Sequence, residues 1–272
     1  MLRNMHIILS CLWAAALVLA PQNSLAEVPD DVARIEVLPG WTTAQGTQMA
    51  AIRLTLAPGW KTYWRAPGDG GIPPAFGWTG SKNVASTAFH WPTPEVIDQN
   101  GLRSFGYHDQ VTIPIEVTPT VAGAATHLQG EVEIGVCLDI CVPVRLNFAA
   151  DLAPETHRDV AIVTALVDNP VPGAEAGLTG VTCAVEPSDT GLWVTATMDL
   201  PATGGDEVVV IEAGDPLVWV SQTNVSRSGG QLTARAEMVH VTGQSFALNR
   251  AAVRITVLGV DRAVDIQGCS AG

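Results

Sequence analysis

Positive charge is scarce in this 272-residue chain: 14 Lys and Arg stand against 27 Asp and Glu, a net charge of −13. So acidic a chain repels nucleic acid and anionic lipid, which argues against both as partners and leaves solubility as the plain reading of the charge. Long apolar runs are missing too, except for Ile7 to Ala20, which is too short to span a bilayer. Low-complexity tracts and sequence repeats are absent. Nor is there a four-ligand cluster for zinc, because only two of the five cysteines lie close together. No metal and no cofactor are expected.

The early apolar stretch has the parts of a secretory leader over residues 1–26. Arg3 forms a short basic start, and Ser24-Leu25-Ala26 supplies a small-x-small cleavage site. Ile8-Leu9-Ser10-Cys11 has a trace of a lipoprotein box, but the apolar run continues well past it. Cleavage removes Arg3 and no acid, taking the net charge from −13 to −14. The mature chain, about 246 residues, is expected in the periplasm, an oxidising compartment, with no direct membrane insertion. Four cysteines remain, an even number that permits two disulfides in three possible pairings.

Up to about residue 152 the chain reads as short alternating strands. Ile52-Leu54-Leu56, Trp60-Thr62-Trp64 and Val111-Ile113-Ile115-Val117 alternate with more polar neighbours, and turns such as Pro67 to Pro74 separate them. Pro114, inside a good strand, suggests a sheet edge. From Pro154 to Val167 the period turns helical, with Val160, Val163 and Val167 as the stripe and Pro170 and Pro172 as terminators. A second strand series follows: Trp193 to Met198, Val208 to Ile211, Val218 to Val220, Leu232 to Val239, Val253 to Leu258 and Val264 to Ile266. The expected fold class is all-β, two tandem immunoglobulin-like β-sandwiches joined by a short helical linker. The expected units are residues 27–152, a linker 153–177, and a second sandwich 178–272.

The run from Glu131 to Phe148 holds the chemistry. Val132, Ile134 and Val136 form the apolar set before the connection, and Val142, Val144, Leu146 and Phe148 form it after. Cys137 is thus in phase with Glu131, Glu133 and Gly135, and Cys141 with Pro143, Arg145 and Asn147. Both thiols are expected on the solvent side of a hairpin whose loop is Leu138-Asp139-Ile140. Opposed antiparallel residues lie roughly 4.5–5.5 Å apart, within the reach of a disulfide. The loop has no glycine for a left-handed position, so strain is expected, and strained exposed disulfides are the labile ones.

Cys183 begins the second series and Cys269 ends it. A bond between them would close about 87 residues, roughly 4.6 kcal/mol by the chain-entropy model, against roughly 2 for the Cys137–Cys141 loop. The long bridge suits a structural staple and the short one a redox centre. Two other readings stand beside that: both bonds are inert staples in a secreted binding or assembly module, or the paired thiolates hold Cu(I). Trp60, Tyr63, Trp64 and Trp91 suit either a core or a partner groove.

Several motifs resemble a known family, the N-terminal periplasmic domain of the thiol:disulfide interchange protein DsbD, especially the longer version in the copper-sensitivity suppressor ScsB. They are Gly59-Trp60-Lys61-Thr62-Tyr63-Trp64-Arg65, the loop Pro67-Gly68-Asp69-Gly70-Gly71-Ile72-Pro73-Pro74, Phe105-Gly106-Tyr107-His108-Asp109 leading into Val111 to Pro114, and Cys137 to Pro143. Together they cover most of residues 40–150.

The resemblance implies a reversible Cys137–Cys141 pair with Cys141 as nucleophile and Cys137 as resolver. It implies electrons taken from a membrane-embedded donor of the CcdA or DsbD type and passed to periplasmic thioredoxin-like proteins, in a setting such as cytochrome c maturation or copper tolerance. A cap loop within Asp98 to Gly106 would shield the sulfurs, with Asn100 or Leu102 nearest the position of the family's cap aromatic. Full-length members continue into membrane and thioredoxin-like domains that this sequence does not reach, so a separate donor is expected. Asp139 opposes thiolate formation, and Arg145 or His108 could oppose Asp139. Tyr107, His108 and Asp109 read equally as site residues or as turn and packing residues. His240 in the second series has no partner pattern, which makes that unit a spacer or docking module.

Overall fold

The computed structural model of this chain describes residues 32–99, 101–152 and 158–272. The leader at 1–26 and Asn100 lie outside the described residues. The first strands are β1 (Ala33–Thr42), β2 (Gln48–Leu56), β3 (Lys61–Gly68), β4 (Ala75–Gly77), β5 (Ser86–Phe89), β6 (Glu95–Gln99), β7 (Leu102–His108), β8 (Gln110–Thr118), β9 (Thr126–Cys137) and β10 (Cys141–Leu152). Helix α1 (Val160–Val167) follows. The later strands are β11 (Val171–Pro172), β12 (Gly180–Pro187), β13 (Leu192–Asp199), β14 (Val208–Glu212), β15 (Val218–Val220), β16 (Asn224–Ser228), β17 (Gln231–His240), β18 (Arg254–Leu258), β19 (Ala263–Gln267) and β20 (Ser270–Ala271). The described chain is nearly all β.

Alternation in the sequence becomes two faces in each sheet. The sheets β1-β2-β8-β5 and β10-β9-β3-β7-β6, the latter with β4 also on β9, bury Ile52, Leu54, Trp64, Ile113, Ile115, Val132, Ile134 and Val136 in one cluster. A second pair, β11-β19-β18-β14 and β15-β17-β13-β12-β20, does the same with Val194, Met198, Leu232, Met238, Ile255, Val257 and Val264. Each such side chain contributes about 1.5–3 kcal/mol on leaving water. The two bodies touch: Val210, Leu258 and Ala263 from the later strands complete the first cluster. Arg65 of β3 reaches across to Glu212, with Nε to Oε1 at 3.1 Å and Nη2 to Oε2 at 2.9 Å.

Two local expectations change. Strand β8 is internal, between β2 and β5, not at an edge. Pro114 is tolerated there because its carbonyl accepts from His90 N on the β5 side, where β5 has already ended at Phe89, so its missing N–H falls where no strand asks for it. In α1 the buried residues are Ile162 and Ala165, while Val160 and Val167 are 76% and 82% exposed. The docking patch of Leu38, Met49 and Ala51 selects Ile162, and the helix is too short for its valine stripe to compete. Val171 and Pro172, expected in a linker, pair with Val264 and Asp265 and belong to the second set of sheets.

Candidate functional site

Strands β9 and β10 form the expected hairpin, with Cys141 directly opposite Cys137 and the two joined by a disulfide at a Cα separation of 4.2 Å. Both sulfurs lie on one side of the sheet, since the Tyr63 hydroxyl meets Cys137 Sγ at 2.8 Å and Cys141 Sγ at 2.9 Å. Their exposure differs, and this corrects the sequence reading. Cys141 is exposed, but Cys137 is 1% exposed. Alternation tells which face a residue uses, not what covers that face. No residue of the Cys loop takes a left-handed conformation: among the described non-glycine residues only Asn83 and Asp109 have positive φ.

The cover is Tyr63 with the Pro67 to Pro74 loop. The phenol ring is held between two glycines: a Cβ on Gly71 would lie 2.8 Å from Tyr63 Cδ1, and one on Gly135 would lie 3.1 Å from Cδ2 and 2.7 Å from Ile72 Cβ. Only residues without a side chain leave room for the ring. In the disulfide neither sulfur carries hydrogen, so the phenol donates, with the Gly70 carbonyl at 3.4 Å as a further acceptor. Burial pushes the Tyr63 hydroxyl above the ordinary tyrosine range, which keeps it a donor at neutral pH.

A row of side chains continues across the sheet from the disulfide. Lys61 is directly opposite Cys137 on one side and His108 on the other. Lys61 is 6% exposed, and its Nζ donates to Gln99 Oε1 of β6 at 2.8 Å. Burial pulls its ammonium below the ordinary lysine range. His108 pairs with Glu95 through Nδ1 at 2.8 Å. The row therefore runs Cys141, Cys137, Lys61, His108 over strands β10, β9, β3 and β7, with Glu95 and Gln99 closing it from β6.

The other expected site residues divide. Tyr107 faces the core, 6% exposed, and donates to the Pro92 carbonyl at 2.7 Å. Asp109 is a turn residue at φ 57° whose Oδ1 accepts from Gly59 N at 2.8 Å. Asp139 is exposed at the hairpin tip. Arg145 is tied to Glu133 at 2.6 Å and exposed. Leu102, 53% exposed, packs near Gly70, so it touches the loop that covers the sulfurs. Asn100 cannot be assigned, lying outside the described residues. Tyr63, Trp64 and Trp91 are buried, which assigns them to packing and, for Tyr63, to the site.

Lys61 and Tyr63 are the site residues that sequence reasoning missed. Their phase, opposite to Trp60-Thr62-Trp64, was readable; the pairing of β3 with the cysteine strand was not. In the second set of sheets Cys183, fully buried on β12, is bonded to Cys269 at a Cα separation of 5.7 Å. Among the described residues no group of three or more His, Cys, Asp or Glu is arranged to hold a metal ion. No helix among them is long and apolar enough to cross a membrane.

Residues 29–152 match the family described as "Thiol:disulfide interchange protein DsbD, N-terminal". The N-terminal periplasmic domain of ScsB from Proteus mirabilis superposes at a TM-score of 0.67 with 20% identity, over 90% of this chain and 97% of that one. The fold likeness thus extends through the later sheets. The N-terminal domain of Neisseria meningitidis DsbD in the reduced form aligns at a TM-score of 0.30 with 14% identity, over 49% of this chain and 96% of that one. No curated protein sequence matches.

Proposed function

We propose, from the match of residues 29–152 to the DsbD N-terminal family, that this chain is a periplasmic thiol-disulfide exchange protein that relays electrons through Cys137 and Cys141. The observation that carries the reading is the asymmetry of the bond: one sulfur is open to a visiting protein, and the other is buried beside it under Tyr63. Cys141 is the nucleophile. In the reduced protein its thiolate attacks the disulfide of a thioredoxin-like partner, forming a mixed disulfide and releasing one partner thiolate. Cys137 then attacks Cys141 Sγ and expels the second partner thiolate, so the partner gains two electrons and the Cys137–Cys141 bond re-forms. A dithiol on a membrane-embedded carrier of the CcdA or DsbD type reverses the sequence and reloads the pair.

In this reading the fold is two immunoglobulin-like sandwiches joined across α1, the second beginning near Val171, stapled by Cys183–Cys269 and serving as spacer or docking body. Residues 1–26 act as the export signal.

Trapping tests the proposal. Cys137→Ser should accumulate a mixed disulfide through Cys141 with a thioredoxin-like protein, and Cys141→Ser should trap far less. A Cys137–Cys141 reduction potential far below about −300 mV, with no trapped partner, would mark the bond as an inert staple and overturn the reading.

A further inference from the structure

We propose that Lys61 serves this exchange as a positioning residue whose ammonium holds negative charge on Cys137 Sγ. The inference rests on the exchange reading and deepens it. Lys61 and Cys137 are directly opposed partners on β3 and β9, so their side chains leave the sheet on the same side. Opposed Cβ atoms lie roughly 4.5–5.5 Å apart, and the lysine stem spans that gap. Arg145, the cation that the hairpin itself offers, is exposed and tied to Glu133.

A lysine this buried ordinarily has an anion beside it. The groups facing Lys61 are Cys137 and Cys141 from the hairpin, Tyr63 from its own strand, His108 from β7, and Glu95 and Gln99 from β6. Glu95 is engaged with His108, and the amide of Gln99 is neutral. No carboxylate among the described residues lies within ion-pair distance of the ammonium. In the oxidised state the cation therefore has an amide for a partner; opening the disulfide creates an anion on the residue directly opposite Lys61 in the sheet.

Both directions of exchange pass through that anion. When a donor thiolate attacks Cys141 Sγ, the S–S bond breaks and its electron pair leaves on Cys137. When a partner is to be released, the Cys137 thiolate attacks Cys141 Sγ, and the pair leaves on the partner's sulfur. An adjacent ammonium favours Cys137 as leaving group in the first step and raises its thiolate fraction in the second. Gln99 holds the ammonium from the β6–β7 hairpin, so a charge on Cys137 would act on that hairpin through Lys61.

The test uses full-length Lys61→Met, Lys61→Gln and Lys61→Arg, each alone and combined with Cys141→Ser. In the Cys141→Ser protein with Lys61 intact, ultraviolet thiolate absorbance should titrate below the ordinary cysteine midpoint of about 8.5. Lys61→Met and Lys61→Gln should each raise that midpoint by about one pH unit. In glutathione buffers they should shift the dithiol–disulfide equilibrium about tenfold toward the disulfide, about 30 mV. Lys61→Arg should restore most of both. An intact-Lys61 midpoint at or above the ordinary value overturns the proposal, as do folded Met and Gln variants unchanged in midpoint and equilibrium, or an Arg variant as impaired as Met. Trapping separates the two claims: a wild type that exchanges while the Lys61 variants match it defeats only the role of Lys61, whereas a pair that traps nothing defeats exchange itself.

Discussion

Among the described residues the phenol of Tyr63 is the neutral donor that meets both sulfurs, and its contribution divides into ring and hydroxyl. Tyr63→Phe keeps the ring between Gly71 and Gly135 and loses the bonds to Cys137, Cys141 and Gly70. Stability should fall by about 1 kcal/mol, visible in a urea melt. The redox effect should be larger, because a donor binds a thiolate about twice as strongly as a neutral acceptor. The equilibrium with glutathione should move severalfold toward the disulfide. Gly135→Ala probes the ring instead: its methyl would meet Ile72 and the phenol, at a cost of about 1–3 kcal/mol in the same melt. A Gly135→Ala protein as stable as wild type would show that Tyr63 is not locked.

Strands were more legible than the helix, for a reason that belongs to each element. The expected segment Trp193 to Met198 falls inside β13 (Leu192–Asp199), and Leu232 to Val239 inside β17 (Gln231–His240). Alternation of period two survives wherever one face is buried. Helix α1 occupies the later part of the expected segment, Val160–Val167, and turns a different face inward, because a helix of two turns takes its orientation from the surface it meets. Its start is local and testable: Asp159 caps it by accepting from Ala161 N at 2.7 Å. Asp159→Ala should cost about 1 kcal/mol and loosen the Ile162 contact, readable as faster amide exchange over 160–167.

Across the whole molecule the junction between the two sets of sheets is pinned by Arg65. Its side chain is 12% exposed, and its guanidinium binds Glu212 through two nitrogens, reaches Thr256 Oγ1 at 3.1 Å, and lies 3.8 Å over the Trp64 ring. Glu212→Ala leaves this charge only Asp265, at 3.8 Å and already bound by Arg254. It should destabilise the protein by about 3 kcal/mol and separate one calorimetric transition into two, since the ion pair and the shared apolar cluster couple the bodies. The Cys183–Cys269 bridge lies far along the chain from the site. Cys183→Ser with Cys269→Ser should destabilise the later sheets by up to about 4.6 kcal/mol in the chain-entropy limit, read as a lower melting temperature. It should leave the Cys137–Cys141 potential unchanged.

From the order of residues alone came the acidic composition, the strand phases, the Cys137–Cys141 hairpin and, by counting, the pairing of the remaining two cysteines. All depend on neighbours close in sequence or on counting. The burial of Cys137, the placing of Lys61 and Tyr63 beside it, and the retreat of Tyr107 into the core depended on which distant strands became neighbours. Long-range packing decides strand adjacency, and with it which side chains cover a face that alternation can only identify.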